Sequence, residues 1–262
     1  MTAELSPSDK AKYVAARRAV GFVEDGMRLG LGTGSTAAWM VRCLGERVRE
    51  HGLKITGVAT SNRTAQLASD LGVPIKTLDE LPWLDLTIDG ADEYDAKLNL
   101  IKGGGGALLQ EKIVATASDR MIVIADPTKQ VDSLGAFPLP VEVIAFGWQT
   151  TKMLIEDMLA SVDVLGRTAS LRLTGGVPFR SDEGNFILDL HLDRIADPNA
   201  LSLALNQIPG VVENGLFLGI CDMVVIGTSD GMVEVRDIHT GTVTHERIDT
   251  ATSETLFADK TK

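Results

Sequence analysis

Apolar positions along the first half of the chain follow two alternating spacings. Short continuous apolar runs, typical of buried parallel strands, alternate with segments whose apolar residues recur every three or four positions, as in amphipathic helices. The runs predict strands at 27–31, 54–59, 73–78, 84–88 and 121–125, and the helical spacing predicts helices at 8–24, 36–50, 62–71 and 107–117. Strands that alternate with helices predict an α/β fold with a mainly parallel sheet and helices on both faces.

The pattern changes after Pro138. Strands are predicted at 141–144 and 223–226, helices at 151–161 and 198–207, and two strands joined by a turn at 182–185 within residues 167–192. This β–α–β–β–α–β order predicts a smaller α+β domain. We therefore predict a main domain at 1–137 and about 210–235, a smaller domain at 138–209, and a C-terminal extension at 236–262. A hairpin is expected after Gly231.

Composition and charge narrow the class of protein. The chain is 44% hydrophobic and 23% charged, which is ordinary for a folded protein, and no apolar run approaches the roughly 20 residues of a membrane span. A net charge of −11 disfavours binding to nucleic acid or to an anionic membrane, so an anionic substrate would need a locally positive site. With two cysteines and no secretory signal, the expected compartment is the cytoplasm. We interpret Cys43 as a small buried hydrophobe.

The turn from Gly30 to Thr36 follows a predicted strand and opens a helix. A helix N-terminus offers backbone N–H groups and a partial positive charge, and Thr33, Ser35 and Thr36, which flank Gly34, add hydroxyl donors. The spacing is neither Walker A nor a complete G-x-G-x-x-G, because Ser35 stands where the third glycine would be. We favour phosphate binding here; a glycine-rich turn with Ser/Thr capping is the structural alternative.

Acidic residues follow the strand predicted at 84–88. Asp89-Gly90-Ala91-Asp92-Glu93 lies at its carboxyl end, where open α/β sheets bind ligands. Asp89 and Asp92 could hold a divalent metal, exchange protons or hydrogen-bond sugar hydroxyls. A solvated acidic turn is the structural alternative.

A glycine loop opens the helix predicted at 107–117. Lys102 is followed by four glycines, Gly103–Gly106, whose backbone entropy cost argues against a packing role alone. Their N–H groups could bind an oxyanion beside the Lys102 charge. Glu111 lies early in the helix and could face the loop as a general base, although an isolated helical glutamate is more often a surface residue. Lys129 follows strand 121–125 and could reach a phosphate; no histidine has metal-ligand spacing.

Taken together, these segments resemble ribose-5-phosphate isomerases of the type A family. The matching stretches are GLGTGSTA (30–37), ATSNRT (59–64), TIDGADE (87–93), LIKGGGGALLQEKIVA (100–115), IADPTKQVDSLGAFPLPVEV (124–143) and IPGVVENGLF (208–217). The resemblance runs from about residue 10 to about residue 235. It implies a Rossmann-like fold, interconversion of ribose 5-phosphate and ribulose 5-phosphate without metal or organic cofactor, and a homodimer or homotetramer.

The resemblance also implies roles for single residues. Glu111 matches the family's catalytic base, Asp89 and Asp92 match its DGAD carboxylates, and Lys102 matches the lysine of its KGGG loop. The remaining substrate contacts implied are Thr33, Gly34, Ser35, Thr36, Gly90, Ala91, Gly103, Gly104, Gly105, Lys129 and Lys12. Two departures are the fourth glycine, Gly106, and Gln110, where family members often carry arginine.

The chemistry expected is proton transfer from C2 to C1 of the sugar through an enediolate. A single carboxylate can perform both transfers, and Glu111 is the candidate. N–H groups of Gly103–Gly105 and the Lys102 ammonium would stabilise the enediolate. We assign ring opening to Asp89 and the orientation of hydroxyls to Asp92, and these two roles could be exchanged.

Several alternatives remain open. A non-catalytic sugar-phosphate sensor would normally carry a DNA-binding module, and only one short helix precedes the first predicted strand. Amino-sugar phosphate deamination or acyl-CoA transfer on a related fold is disfavoured by the DGAD and KGGG stretches. A nucleotide-binding dehydrogenase would need the third glycine and a ribose-binding acid at the expected place.

Overall fold

A computed structural model describes residues 5–249. The helices are α1 Pro7–Val20, α2 Ser35–His51, α3 Asn62–Asp70, α4 Leu108–Thr116, α5 Trp148–Leu159 and α6 Pro198–Asn206. The strands are β1 Arg28–Leu31, β2 Thr56–Ala59, β3 Leu86–Gly90, β4 Glu93–Tyr94, β5 Leu100–Ile101, β6 Met121–Ala125, β7 Leu139–Val143, β8 Thr168–Leu171, β9 Leu173–Thr174, β10 Val177–Pro178, β11 Phe186–His191, β12 Val211–Asn214, β13 Leu216–Phe217, β14 Met223–Gly227, β15 Met232–Asp237 and β16 Val243–Arg247. No helix within residues 5–249 is long and apolar enough to cross a membrane.

The chain forms two compact units. Unit 1 contains the chain up to Gly90, Ile113–Lys129 and the chain from Ile220 onward; unit 2 contains Ala91–Lys112 and Gln130–Gly219. The sequence pattern instead places the smaller domain at 138–209, so residues 91–112, 130–137 and 210–219 are the segments assigned differently. The chain therefore crosses from one unit to the other after Gly90, Lys112, Lys129 and Gly219.

Unit 1 is built on a seven-stranded sheet in the order β16-β15-β14-β6-β3-β1-β2. The five strands from β14 to β2 are parallel, and β15 and β16 continue the sheet antiparallel. Leu29 and Leu31 of β1 join the core formed with α1 and α2. Gly30 between them faces Val114 of α4 on the other side. Helices on both faces explain why the parallel strands are almost uniformly apolar, and the predicted fold class is confirmed.

Helix α1 differs from its predicted bounds of 8–24. Its N-cap is Ser6, whose hydroxyl accepts a hydrogen bond from the Asp9 N–H at 3.1 Å, and Pro7 occupies the first helical position, where its missing N–H is harmless. The helix ends at Val20, before Gly21. Arg17 pairs with Glu46 of α2, and this ion pair joins the two helices.

The hairpin predicted after Gly231 is present as β15 and β16. β15 pairs with β14, so the hairpin extends the main sheet of unit 1. Arg18 of α1 pairs with Glu246 of β16, and Ile248 packs against the core that α1 and α2 share. The rest of the predicted extension, residues 250–262, lies outside the described residues.

Unit 2 contains a four-stranded antiparallel sheet in the order β12-β7-β11-β8 and a three-stranded sheet in the order β13-β5-β4. Alternate residues of β7, Leu139, Val141 and Val143, face a core shared with α5 and α6. The order β7-α5-β8-β11-α6-β12 has the predicted β–α–β–β–α–β form, but its last strand is β12; the strand predicted at 223–226 is β14, which pairs with β6 in unit 1. Pro140 and Glu142 of β7 point to the opposite face of the sheet.

Three predicted strands need correction. Residues 73–78 form only one bridge, between Ile75 and Gly57, because Pro74 cannot donate to a strand ladder. β3 begins at Leu86 and runs to Gly90, so Asp89 and Gly90 lie inside the strand rather than after it. Residues 167–192 do not form a simple hairpin: β8 and β11 pair, and a small hairpin, β9–β10, is inserted in the connection between them.

Candidate active site

The turn between β1 and α2 in unit 1 has the form that the sequence predicts. Gly34 is the N-cap of α2 at φ 111°, a conformation that favours glycine, and it supplies no side-chain cap. The 17-residue helix therefore begins at Ser35 with its N-terminal N–H groups uncapped by Gly34, beside the hydroxyls of Thr33, Ser35 and Thr36. This geometry is suited to an anion such as a phosphate group.

Asp89 lies next to this turn and is fully buried, with 0% of its surface exposed. Its Oδ1 atom accepts the Thr33 N–H at 3.1 Å and the Gly90 N–H at 2.7 Å. A Cβ atom on Gly32 would lie 2.1 Å from the same oxygen, so only glycine leaves room for the carboxylate. The interpretation of Asp89 as part of a solvated acidic turn is therefore wrong.

A cluster of hydroxyl groups holds the turn from the side of α3. The Thr33 hydroxyl lies 2.8 Å from that of Thr60, 2.7 Å from that of Ser61 and 3.2 Å from that of Thr64. Thr64 also donates to the Gly32 carbonyl at 3.0 Å. The ATSNRT stretch contains the three partners of Thr33, but the sequence motifs assign them no role. Their position after strand β2, at the carboxyl edge of the sheet, is the signal that could have identified them.

Two lysines of unit 1 were predicted to bind phosphate. Lys129 ends a 3₁₀ turn that follows β6, and its side chain is half-buried. Lys12 is half-buried on α1, where its Nζ atom lies 3.8 Å from Asp9 Oδ1. The positive charge of Lys12 is therefore partly compensated by Asp9. Lys129 follows β6, whose carboxyl end lies at the same edge of the sheet as the carboxyl end of β3.

In unit 2, Lys102 and Glu111 form a buried ion pair. Nζ of Lys102 lies 3.4 Å from Oε1 of Glu111, and the two residues are 2% and 4% exposed. The ring of Phe217 lies beneath, with its centroid 5.4 Å from Lys102 Nζ. Glu111 is thus not the surface helical glutamate of the alternative interpretation, because α4 turns it towards the lysine that precedes the glycine loop.

Lys112, next to Glu111, points to a different set of partners. Its Nζ atom donates to Glu213 Oε1 at 2.8 Å and to the Asn214 carbonyl at 2.6 Å, and burial lowers the pKa of its ammonium group. Its Nζ lies 5.0 Å from the centroid of Phe217. The ring therefore has two lysines close to it, and Lys112 anchors the start of α4 to β12.

The glycine loop between β5 and α4 is fixed at several points. Gly103 and Gly106 adopt φ angles of 102° and 79°, which favour glycine. The Gly104 N–H donates to Asp92 Oδ2 at 2.7 Å. A Cβ on Gly106 would lie 2.3 Å from the ring of Phe179, so the fourth glycine is required by packing. Gly104 and Gly105 are exposed.

Each unit thus collects part of the predicted set of site residues. Unit 1 brings together Thr33, Gly34, Ser35, Thr36, Asp89 and Gly90, and it also carries Lys12 and Lys129. In unit 2, Asp92 contacts Gly104 and Lys102 contacts Glu111. Ala91, Gly103 and Gly105 are their neighbours along the chain. Within residues 5–249, no group of three or more His, Cys, Asp or Glu side chains is arranged to hold a metal ion.

Comparison with known proteins decides the family. The family model for ribose 5-phosphate isomerase A (phosphoriboisomerase A) matches residues 56–231. This chain belongs to the ribose 5-phosphate isomerase A family. The match includes the DGAD stretch, the glycine loop and Glu111, whereas the turn at 30–36 precedes it.

Members of the ribose 5-phosphate isomerase A family align with nearly the whole chain. The proteins named ribose-5-phosphate isomerase A from Jannaschia sp. (strain CCS1) and Ruegeria pomeroyi are 76% and 69% identical over 259 residues, covering 99% of this chain and 99% of each relative. The solved structure of ribose 5-phosphate isomerase A from Methanocaldococcus jannaschii is 39% identical with a TM-score of 0.78, covering 93% of this chain and 100% of its own.

A second solved structure of the family contains a bound ligand. It is a D-ribose-5-phosphate isomerase in complex with phospho-erythronic acid, 38% identical with a TM-score of 0.79, covering 93% of this chain and 100% of its own. The enzyme from Plasmodium falciparum is 33% identical with a TM-score of 0.80 over 92% of this chain and 99% of its own. The resemblance predicted from the sequence motifs is confirmed.

Proposed function

We propose that this protein interconverts D-ribose 5-phosphate and D-ribulose 5-phosphate, a step of the non-oxidative pentose phosphate pathway. The observation that carries the proposal is the buried pair of Lys102 and Glu111 at the start of the glycine loop, in a chain of the ribose 5-phosphate isomerase A family. A buried carboxylate held beside a cation, close to N–H groups that can receive developing charge, is suited to proton transfer next to a carbonyl.

Glu111 is the proposed base. In its carboxylate form it takes the proton from C2 of the open-chain aldose, and the electrons of the C–H bond form the C1–C2 double bond of an enediolate. The same carboxyl group then returns the proton to C1 while the proton of the O2 hydroxyl passes to O1, which gives the ketose and restores the carboxylate. Both protons stay on the substrate overall, so atoms and charge balance without a metal or an organic cofactor.

The enediolate needs stabilisation of negative charge on O1 and O2. The proposed donors are the loop N–H groups within Gly103–Gly105 that do not bind Asp92, and the ammonium of Lys102. Asp92 accepts the Gly104 N–H, so it fixes one peptide of the loop and leaves its other oxygen to orient a sugar hydroxyl. The low exposure of Lys102 increases the strength of its interaction with an anion.

Substrate binding and ring opening are proposed for the residues of unit 1. Thr33, Gly34, Ser35 and Thr36 bind the phosphate and sugar at the N-terminus of α2, and Lys129 and Lys12 add positive charge against the negative net charge of the chain. Asp89, oriented by two backbone N–H groups, exchanges the proton that opens the furanose ring. The related structure in complex with phospho-erythronic acid supports a site that accepts a phosphorylated sugar acid.

The assembly and location of the protein are also proposals. A homodimer or homotetramer agrees with a surface on which Ile144, Phe146 and Met153 are exposed, with Phe146 at 90%. A cytoplasmic location agrees with the buried thiols of Cys43 and Cys221, neither of which forms a disulfide in the described part of the chain.

The test is ketose formation from ribose 5-phosphate by the purified, EDTA-treated protein, beside the Glu111→Gln variant. We expect turnover by the wild type and none by the variant, which should still bind ribose 5-phosphate in calorimetry. Glu156→Gln is the matched control, because Glu156 also pairs with a lysine, Lys152 at 2.7 Å, on α5. It should retain full turnover.

The outcomes separate the proposals. Turnover that EDTA abolishes would contradict the metal-free mechanism, and wild-type turnover by Glu111→Gln would remove Glu111 from the role of base. Binding of ribose 5-phosphate without turnover by any form of the protein would favour the sugar-phosphate sensor instead.

A further inference from the structure

We propose that Arg172 is a positioning residue of the reaction: its guanidinium holds the glycine loop so that the Gly104 N–H binds Asp92 and the Gly105 N–H faces the substrate. Arg172 follows β8 in unit 2 and does not belong to the predicted site. The inference rests on the proposed function, because it concerns the loop that we assign to enediolate stabilisation.

The guanidinium of Arg172 is fully engaged between the loop and one carboxylate. Its Nη1 atom donates to the Gly103 carbonyl at 2.8 Å and to the Gly104 carbonyl at 3.1 Å. Its Nε donates to Asp189 Oδ2 at 2.9 Å, and its Nη2 donates to Asp189 Oδ1. Because a bidentate arginine–carboxylate pair fixes the plane of the guanidinium, Asp189 determines where Nη1 points.

Strand pairing explains why these side chains meet. β11 pairs antiparallel with β8, and Asp189 lies opposite Ser170, two residues before Arg172. Arg172 is therefore a diagonal neighbour of Asp189 on the same face of the sheet, within reach for a long side chain. The sheet, which is a rigid element, thus carries the group that contacts the loop.

Holding two carbonyls determines the direction of two N–H groups. In a trans peptide the C=O and N–H bonds point in opposite directions, and the described residues contain no cis peptide. With the carbonyls of Gly103 and Gly104 directed to Arg172, the N–H groups of Gly104 and Gly105 point away from it. The Gly104 N–H does so and donates to Asp92 Oδ2.

Without such an anchor the loop would be the least ordered part of the site. Glycine loses more backbone freedom than any other residue on becoming ordered. Preorganised donors stabilise a transition state because they need no rearrangement as charge develops. Arg172 acts through the loop and touches no proposed reacting atom, so it is a positioning residue rather than a catalytic one.

The decisive variant is Arg172→Lys, which keeps the positive charge but cannot contact both carbonyls and the Asp189 carboxylate with a planar fork. We expect kcat to fall about 10- to 100-fold while KM changes little, the pattern of a lost transition-state interaction. Inhibition by phospho-erythronic acid, whose carboxylate resembles the charged enediolate, should weaken by a similar factor. Ribose 5-phosphate binding, measured with Glu111→Gln present in both proteins, should be unchanged.

Two further variants keep the test independent of folding. Arg194→Lys is the matched control, because Arg194 pairs with Asp163 in the same unit at 2.6 Å and should give wild-type kcat. Asp189→Asn leaves Arg172 in place but removes the carboxylate that orients it, and it should also lower kcat. If Arg172→Lys does not fold, Asp189→Asn provides the test. In Arg172→Ala, added ethylguanidinium should restore part of kcat.

A purely structural role would give a different result. If Arg172→Lys unfolds at lower urea concentration but its folded form has wild-type kcat and wild-type inhibition by phospho-erythronic acid, the inference is wrong. Failure of ethylguanidinium to restore any activity to folded Arg172→Ala would also count against it. The proposed function is judged separately, by wild-type turnover and its loss in Glu111→Gln.

Discussion

Lys102 Nζ lies 3.4 Å from Glu111 Oε1, and both side chains are almost fully buried. Removing one partner leaves the other charge buried without compensation, which is more costly than removing both. We expect Lys102→Met to lower the free energy of unfolding by about 3 kcal/mol. Lys102→Met combined with Glu111→Gln should lose less than the sum of the two single changes.

Urea denaturation of the wild type, both single variants and the double variant measures this coupling as a double-mutant cycle. The same cycle built on Lys152→Met and Glu156→Gln, a pair that is 28% and 30% exposed, should show a coupling below about 1 kcal/mol. Strictly additive losses at Lys102 and Glu111 would mean that the two charges do not stabilise each other.

Gly32 is expected to be intolerant of any side chain. A Cβ there would lie 2.1 Å from Asp89 Oδ1, and Asp89 is held by two backbone N–H groups and cannot move freely. Gly32→Ala should lower the free energy of unfolding by about 1–3 kcal/mol, the usual range for overpacking in a core. Thermal unfolding followed by circular dichroism measures this loss.

Gly90→Ala is the comparison for Gly32→Ala. The nearest atoms to a Cβ on Gly90 lie at 3.9 Å, an ordinary van der Waals distance. Its Tm should stay close to that of the wild type. Equal Tm values for the two alanine variants would contradict the steric argument.

Thr64 is expected to hold, through its hydroxyl, the turn that we propose binds phosphate. Thr64→Val preserves the shape of the side chain but removes the hydrogen bond to the Gly32 carbonyl and the contact with Thr33. We expect a loss of about 1–3 kcal/mol of unfolding free energy, because a buried carbonyl loses a donor. KM for ribose 5-phosphate should rise while kcat is largely preserved, since the proton-transfer group lies elsewhere.

Steady-state kinetics and urea denaturation of the Thr64 variant test both parts. Thr244→Val in β16, at an exposed position, should stay within about 0.5 kcal/mol of the wild type. A fall in kcat at unchanged KM would show that the turn contributes to the chemical step instead.

Glu142 is expected to make stability depend on pH. Burial raises the pKa of its carboxyl above the ordinary value of 4.5, although Ser181 and Asn185 donate hydrogen bonds to Oε1. Within residues 5–249, its Oε2 is buried and accepts no hydrogen bond. The folded state therefore binds this proton more tightly than the unfolded state, and the contribution to stability falls as pH rises through 4.5 towards the raised value.

Glu142→Gln carries no such proton, so its Tm relative to the wild type should increase between about pH 4 and pH 7. Glu156→Gln should show the opposite trend below about pH 4.5, because hydrogen bonding from Lys152 lowers the pKa of Glu156 and the stabilisation from its ionised form is lost as pH falls below the ordinary 4.5. Scanning calorimetry from about pH 3 to pH 7 checks both signs. Parallel Tm curves for Glu142→Gln and the wild type would exclude a raised pKa at Glu142.

The sequence predicts those elements whose apolar pattern is continuous. Residues 121–125 form β6 with the predicted bounds, because a run of five apolar residues fits only a strand buried on both faces. The prediction fails at 73–78, where Pro74 limits the pairing to one bridge, and at 167–192, where the inserted β9–β10 hairpin has no apolar pattern of its own. β4 and β13 are two residues long and are defined by their pairing with β5, so no apolar pattern of their own predicts them.

The site was predictable as far as its residues are close in sequence. Lys102, the glycines and Glu111 lie within ten positions, so the short glycine loop and the first turn of α4 bring them into reach. The contact of Arg172 with Asp189 and the loop depends on the register of β8 and β11 and on how β5 leads into the loop. No local pattern encodes such a long-range contact, and the hydroxyl cluster around Thr33 depends on the same kind of pairing between β1 and β2.

The order in which the seven-stranded sheet is assembled constrains biosynthesis. β14 pairs with β6 although about a hundred residues, nearly all of unit 2, separate them in the chain. While the ribosome is still producing that stretch, the apolar β6 has no neighbour on one side and offers an unpaired edge to other nascent chains. β6 can gain its second neighbour only after Gly227, the end of β14, has left the exit tunnel, so a chaperone that shields β6 until then should raise the yield of soluble protein.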